Sequence, residues 1–160
     1  MINDIQFWGD ATSLRDLLGS HAGAMQSLMA TLDLTAIEQV AQLLDAQCQQ
    51  GKTVWCIGNG GSAATASHIS ADMSWGRRAS GETRPNAVSL VSNVPLFSAL
   101  GNDVGYENVF VEQLKGPFRE GDVVVAISAS GNSENVLRAV QFANDNGGSS
   151  IGMTGFDGGK

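Results

Sequence analysis

Asp122-Val-Val-Val-Ala-Ile-Ser128, followed by Ala129-Ser130-Gly131-Asn132-Ser133, decides the fold. The run is continuously apolar and β-branched, with no polar alternation. That pattern suits a strand buried on both faces, which is the habit of parallel sheets. A turn of small residues follows, then a helical pattern over 133–146 that Gly147-Gly148 ends. Strand, tight turn and helix make one βα unit, and a parallel sheet needs that unit repeated.

The repetition is found on either side. Residues 53–57 (TVWCI) read as a strand, then Gly58-Asn59-Gly60-Gly61-Ser62-Ala63 turns into a helix over 62–73, with Ser62 as its N-cap. A second short apolar run is 87–90 (AVSL). Helices are expected at 94–100 and 107–114, split by a GNDVGY turn, and a last short strand at 150–153 (SIGM). Strands alternating with helices predict a three-layer α/β fold around a parallel sheet. Before residue 51 the texture differs. Leu14, Leu17, Leu18, Met25, Leu28 and Met29 recur at helical spacing, and a second helix is predicted from Thr35, capped by a Thr35–Glu38 box and stopped by Gly51. This helical pair packs either on the sheet or against another subunit. The chain is therefore one domain over 1–160, with helices over 1–50 and an α/β core over 51–160.

Composition excludes several classes. A net charge of −7 over 160 residues gives no basic footprint for nucleic acid or anionic membrane. No apolar run approaches the ~20 residues of a membrane span, and the N-terminus lacks a secretory pattern, so a cytoplasmic location is expected. Cys48 and Cys56 form neither a disulfide framework nor a zinc-finger spacing. Glycine is in excess, at twenty residues, of which only Gly9, Gly19 and Gly23 precede residue 50. The excess lies in the loops of the α/β part.

Ligands of open parallel sheets bind outside the carboxyl ends of the strands. The two loops there, 58–63 and 128–133, both leave a strand through small residues and enter a helix. Backbone amides and hydroxyls gathered at a helix N-terminus favour an anion. Neither loop holds Lys or Arg, so Ser62, Ser128, Ser130, Ser133 and amides would carry the contact. Gly58-x-Gly60-x-x-Ala63 matches the dinucleotide fingerprint, but AVSL is followed by Val91-Ser92-Asn93 and not by the acidic residue such a site needs; no nucleotide cofactor is expected. Neither loop is a P-loop or a nucleophile elbow. His68 and Asp72, four apart, share one helix face. They are either acid/base groups or metal ligands facing a site, or a surface ion pair. Asn102-Asp103 is either a carboxylate beside a sugar or an Asx turn. Arg77, Arg78 and Arg84 read as a solvated loop, His21 as a bland helix residue, and Trp55 and Cys56 as core.

Together these residues resemble the sugar isomerase (SIS) domain family, and within it the phosphoheptose isomerases. The stretches that carry the resemblance are GNGGSAATASHISAD, ALGNDVGYENVF, GDVVVAISASGNSENVLRA and IGMTGFDGGK. It implies a flavodoxin-like sheet and a homotetramer with sites at subunit interfaces. It also implies interconversion of sedoheptulose 7-phosphate and D-glycero-D-manno-heptose 7-phosphate through an enediol. By the same resemblance Ser128, Ser130 and Ser133 hold phosphate, with Asn132 supporting the turn. Asn59, Gly60 and Ser62 match a loop that contacts the sugar phosphate, and Asp103 a carboxylate near the sugar. His68 matches a position that binds zinc in some members, and Asp72 the position of a glutamate acid/base that also ligates zinc. The alternative within the family is a non-catalytic phosphosugar-binding module, acting as a sensor or a replication-initiation assembly factor.

Three departures accompany the resemblance. Asp72 is one methylene shorter than the family glutamate. Ala129 lacks a hydroxyl common in the serine turn. The sequence ends at Lys160, where the family continues with a further strand and a helix carrying a histidine acid/base and a glutamine. The expectation is a truncated domain that binds phosphosugar and isomerises it poorly.

Overall fold

The structure is a computed structural model, and it describes residues 12–76 and 85–160. Two compact units divide between Gln39 and Val40. In the first, α1 (Leu14–Ala30) is capped by Ser13, whose side chain accepts from the Asp16 amide. Thr12 and Ser13 also hold the Asp16 carboxyl below its usual range by hydrogen bonding. None of the α1 residues is buried. The helix α2 (Leu34–Gln49) begins in this unit and runs into the second. Its cap is Asp33, whose carboxylate accepts from the Ala36 amide at 3.0 Å. Thr35 lies inside the helix, so the expected Thr35–Glu38 box is not formed. Asp33 outcompetes it because it is the residue immediately before the helix, where a carboxylate can accept from a first-turn amide.

The second unit is built on four parallel strands: β1 (Thr53–Gly58), β2 (Asn86–Ser89), β3 (Val123–Ser128) and β4 (Ser149–Thr154). Their spatial order is β2-β1-β3-β4, as the flavodoxin-like expectation requires. Period-two alternation sorts the buried strands between two cores. Trp55, Ile57, Val124 and Ala126 meet Leu90, Phe110, Leu114, Val136, Ala139 and Ala143 on one face. Val54, Cys56, Val123 and Val125 meet Cys48, Ala66 and the half-buried Leu44, Ile69 and Met73 on the other. The layers are thus the second half of α2 with α3 (Gly61–Gly76) on one side. On the other are α4 (Val94–Asp103), α5 (Val111–Leu114) and α6 (Glu134–Asp145). Only β3 and β1 are buried almost throughout; β4 exposes Gly152, Met153 and Thr154.

Residues 107–114 are not the single helix expected. A 3-10 turn, Tyr106–Asn108, precedes the four-residue α5. The turn is set by Gly105 at φ +93, so the chain re-enters helical geometry twice. Asp122, just before β3, is buried and ties the opposite end of the sheet. It accepts from the Thr53 amide and the Trp55 indole at 2.9 Å and from the Arg119 amide at 3.0 Å. A buried carboxylate is tolerable when donors surround it, and here two of the three donors belong to β1.

Candidate functional site

The strand order reverses direction between β1 and β3. From β1 the chain crosses over α3 to β2 on one side, and β3 and β4 continue on the other. Such a switch point opens a crevice above the carboxyl ends of the two central strands. Gly58 at the end of β1 pairs with Ile127 near the end of β3, so the loops 58–63 and 128–133 lie side by side in that crevice. The similarity of their sequences is therefore a similarity of place.

The first loop turns tightly because Gly58 has no side chain. A Cβ there would stand 2.8 Å from the Ser62 carbonyl. The helix starts at Gly61, one residue earlier than expected, and the Ser62 and Ala63 amides donate to the Asn59 carbonyl. Ser62 is therefore a first-turn residue and not the N-cap; the backbone of Asn59 takes that role. The half-buried Asn59 side chain is engaged on two sides. Its Nδ2 donates to Asn135 Oδ1 at 2.9 Å, and its Oδ1 accepts from Asn135 Nδ2 at 2.8 Å and from the Tyr106 hydroxyl at 2.9 Å. Neither Asn135 nor Tyr106 stood out in the sequence. An Asn as the second residue of a helix and a Tyr opening a 3-10 turn carry no local signal, and only the fold brings them to Asn59.

The second loop contains Ser128, Ser130, Asn132 and Ser133. Ser128 is buried, and its Oγ lies 3.2 Å from Ser133 Oγ. Ser133 stands at the N-cap position of α6, yet its own side chain makes no cap hydrogen bond. Its hydroxyl is turned to Ser128, which leaves helix-end amides available to an anion. The Asn132 side chain donates to the Ser130 carbonyl at 2.8 Å, and the Asn132 amide donates to Ser130 Oγ at 3.2 Å. The segment after β4 lies against the back of this loop. The Gly155 amide donates to Ala129 O at 3.0 Å and the Lys160 amide to Gly131 O at 3.3 Å. The approach is so close that a Cβ on Gly159 would stand 2.6 Å from Ser130 O and 2.6 Å from the Gly131 carbonyl carbon.

The remaining expected site residues lie elsewhere. His68 and Asp72 do pair, with Nε2 to Oδ2 at 3.2 Å, but their side chains are 78% and 70% exposed on the outer face of α3. Asp72 is eleven residues beyond Gly61, about 16 Å along the helix axis. It is thus remote from the loops of its own chain. Asp72 also borders a cavity of about 230 Å³ with Ala41, Leu44, Asp45, Cys48, Met73 and Pro85. Asp103 is exposed as the last residue of α4, not in a loop, and accepts from Asn102 Nδ2 at 2.7 Å. Arg77, Arg78 and Arg84 fall outside the described residues. No group of three His, Cys, Asp or Glu able to hold a metal occurs among the described residues. A zinc ion wants three or four protein ligands, so His68 and Asp72 do not make a zinc site by themselves. Trp55 and Cys56 are core, as expected, and burial pushes the Cys56 thiol up to about 11. No described helix is long and apolar enough to cross a membrane.

Comparison with known proteins gives a consistent result. A family model described as "SIS domain" matches residues 20–155. The phosphoheptose isomerase of Rhodospirillum rubrum is 42% identical over 125 residues, which are 78% of this chain and 66% of that protein. This chain therefore spans just under two thirds of that relative. Among solved structures, a phosphoheptose isomerase from Neisseria gonorrhoeae matches with a TM-score of 0.78 at 36% identity, covering 92% of this chain and 78% of that one. One from Francisella tularensis matches with a TM-score of 0.83 at 30% identity and the same coverages.

Proposed function

The chain belongs to the SIS domain family, and we propose that it acts on a phosphosugar as an isomerase of the phosphoheptose isomerase kind. Its substrate in this proposal is sedoheptulose 7-phosphate. The observation that carries the reading is the pair of loops at the switch between β1 and β3, joined through Asn59 and Asn135 and lacking any basic residue. The phosphate is held by Ser128, Ser130 and Ser133 with the first-turn amides of α6, and Asn132 braces the turn. Loop 58–63, through Asn59, Gly60 and Ser62, meets the adjoining sugar. A ketose with its phosphate so anchored extends its carbonyl end away from the loops.

The chemistry is a proton transfer between neighbouring carbons. A base removes the proton at C1, an acid protonates the C2 oxygen, and the resulting enediol is reprotonated at C2 as the C1 oxygen loses its proton. We assign Asp72 as one such group, oriented by His68 at 3.2 Å, and Asp103 as a carboxylate near the sugar hydroxyls. Because Asp72 is about 16 Å of helix from its own loops, it serves the site of a neighbouring copy. A homotetramer is thus part of the proposal. The exposed Leu14, Leu18, Met25, Leu28 and Met29 of α1, a helix with no buried residue, support self-association. His68 and Asp72 supply two of the donors a zinc ion would need, and no step is assigned to it. The location proposed is the cytoplasm.

The test is incubation of the protein with sedoheptulose 7-phosphate in heavy water, followed by NMR. The aldose phosphate should form, with deuterium entering at the transferred position. Absence of both overturns the isomerase. The distance of Asp72 from the loops also favours a second reading, a phosphosugar-binding module without catalysis. It predicts saturable binding with no exchange, unaltered by Asp72→Ala.

A further inference from the structure

The hydrogen bonds of Asn59 give a task to Asn135 and Tyr106, two residues to which no ligand contact is assigned. The orientation of both amides follows from one fixed donor. The Val136 backbone N–H can only donate, and it donates to Asn135 Oδ1 at 3.0 Å. That identifies the Asn135 oxygen, so the Asn59 atom 2.9 Å from it is nitrogen. Asn59 Oδ1 then faces Asn135 Nδ2 at 2.8 Å and the Tyr106 hydroxyl at 2.9 Å. Both lone pairs of that oxygen are used, and one of the two N–H bonds of Asn59 is used. A single Asn59 N–H remains.

We propose that Asn135 and Tyr106 are positioning residues: they hold the Asn59 amide in one orientation, with one N–H left for the ligand, and lock the loops 58–63 and 128–133 into a single binding unit. This deepens the phosphosugar reading and rests on it for the ligand, but not for the coupling of the loops. Three features favour it. Asn135 is only 3% exposed and lies two residues after Ser133 in the first turn of α6, so a shift of the serine loop moves it. The link spans 76 residues of sequence and joins the loop after β1 to α6 at the mouth of the crevice. Tyr106 is held by an edge contact of its ring on Phe97, with centroids 5.9 Å apart, which fixes its hydroxyl independently of Asn59. A part-buried amide pair of this kind, with its orientation fixed by the Val136 amide, has one arrangement in preference to many.

The experiment uses Tyr106→Phe and Asn135→Ala in the full chain, with two readouts. The first is hydrogen exchange of the backbone amides in 58–63. Loss of the Asn135 amide should speed exchange there by about ten- to a hundredfold, the size expected for the two net hydrogen bonds it makes to Asn59. The second is steady-state kinetics on sedoheptulose 7-phosphate. Tyr106→Phe keeps the ring contact and the melting temperature, and should raise KM by about three- to tenfold with kcat changed less. A merely structural role would lower the melting temperature and leave the KM of the folded protein alone. Wild-type KM in Tyr106→Phe together with wild-type exchange in Asn135→Ala overturns the proposal. If the wild-type protein does not turn over this sugar, the substrate assignment fails, and the exchange readout alone upholds or overturns the coupling.

Discussion

Asp122 is where the register of β1 against β3 is held, and therefore where the two loops at the far ends of those strands are kept level. Its carboxylate is 2% exposed and accepts three hydrogen bonds, from the Thr53 amide, the Trp55 indole and the Arg119 amide. Asp122→Asn keeps the volume and removes one acceptor atom. The remaining oxygen has two lone pairs, so it serves at most two of the three donors. Whichever way the amide turns, its NH2 meets a donor. A hydrogen bond to a charged group is worth about 1.5–3 kcal/mol, and an unmet buried donor costs about 1–3 kcal/mol. A destabilisation of about 2–4 kcal/mol is expected against a total of about 5–15 kcal/mol. At about 2–4 °C per kcal/mol for a chain of this size, the melting temperature should fall by roughly 5–15 °C. Urea titration followed by circular dichroism gives the free energy. Trp55 fluorescence should shift as the indole loses its partner. Glu134→Gln is the control, since its pair with Arg138 at 2.8 Å is on the surface and is worth about 0–1 kcal/mol. A loss below about 0.5 kcal/mol for Asp122→Asn would refute the claim that this carboxylate clamps the two strands.

Other expectations follow from the site and its surroundings. Ser128→Ala and Ser130→Ala should each raise the KM for sedoheptulose 7-phosphate by about tenfold with little change in melting temperature, read by steady-state kinetics and calorimetry. Gly159→Ala places a Cβ 2.6 Å from Ser130 O at φ +72, so the segment must leave the loop; faster exchange of the amides at 129–133 checks this. Phe156 is 94% exposed at φ +51, where an L side chain costs about 1–2 kcal/mol. Phe156→Gly should therefore raise stability, by about 0.5–1 kcal/mol after the entropy of the unfolded glycine, in urea titration. Burial pushes the Cys56 thiol from its ordinary 9.0 up to about 11 in the folded protein. Unfolding thus releases a proton between those values, and the stability from the buried neutral thiol is intact below pH 9 and declines toward pH 11, as pH-dependent denaturation should record.

The strands and their order of appearance were legible because β1 and β3 are apolar without interruption and stand before small-residue turns. The loops were legible for the same reason. What escaped was set by competition or by distance. Asp33 took the cap that Thr35 and Glu38 advertised, because both are plausible caps and the backbone admits one. The GNDVGY turn was legible, but the helix expected over 107–114 divides into a 3-10 turn at Tyr106–Asn108 and a short helix at Val111–Leu114, a break that periodicity does not mark. Asn135 and Tyr106 escaped because their partner is 76 and 47 residues away, and amide pairing leaves no spacing to read. The pairing of His68 with Asp72 was legible from the four-residue spacing, but their direction was not. Helix spacing says which residues share a face, and only the packing of Ala66, Ile69 and Met73 against the sheet makes the other face the outer one.

The central claim is that the loops 58–63 and 128–133 form one phosphosugar site. Its most direct measurement is a backbone amide NMR titration with sedoheptulose 7-phosphate, with unphosphorylated sedoheptulose as the control. The account predicts that the amides of Gly60, Ser62, Ser130 and Ser133 shift together along one saturation curve, and that the unphosphorylated sugar moves them far less. Shifts confined to one loop, or none in either at saturating sugar phosphate, would contradict it.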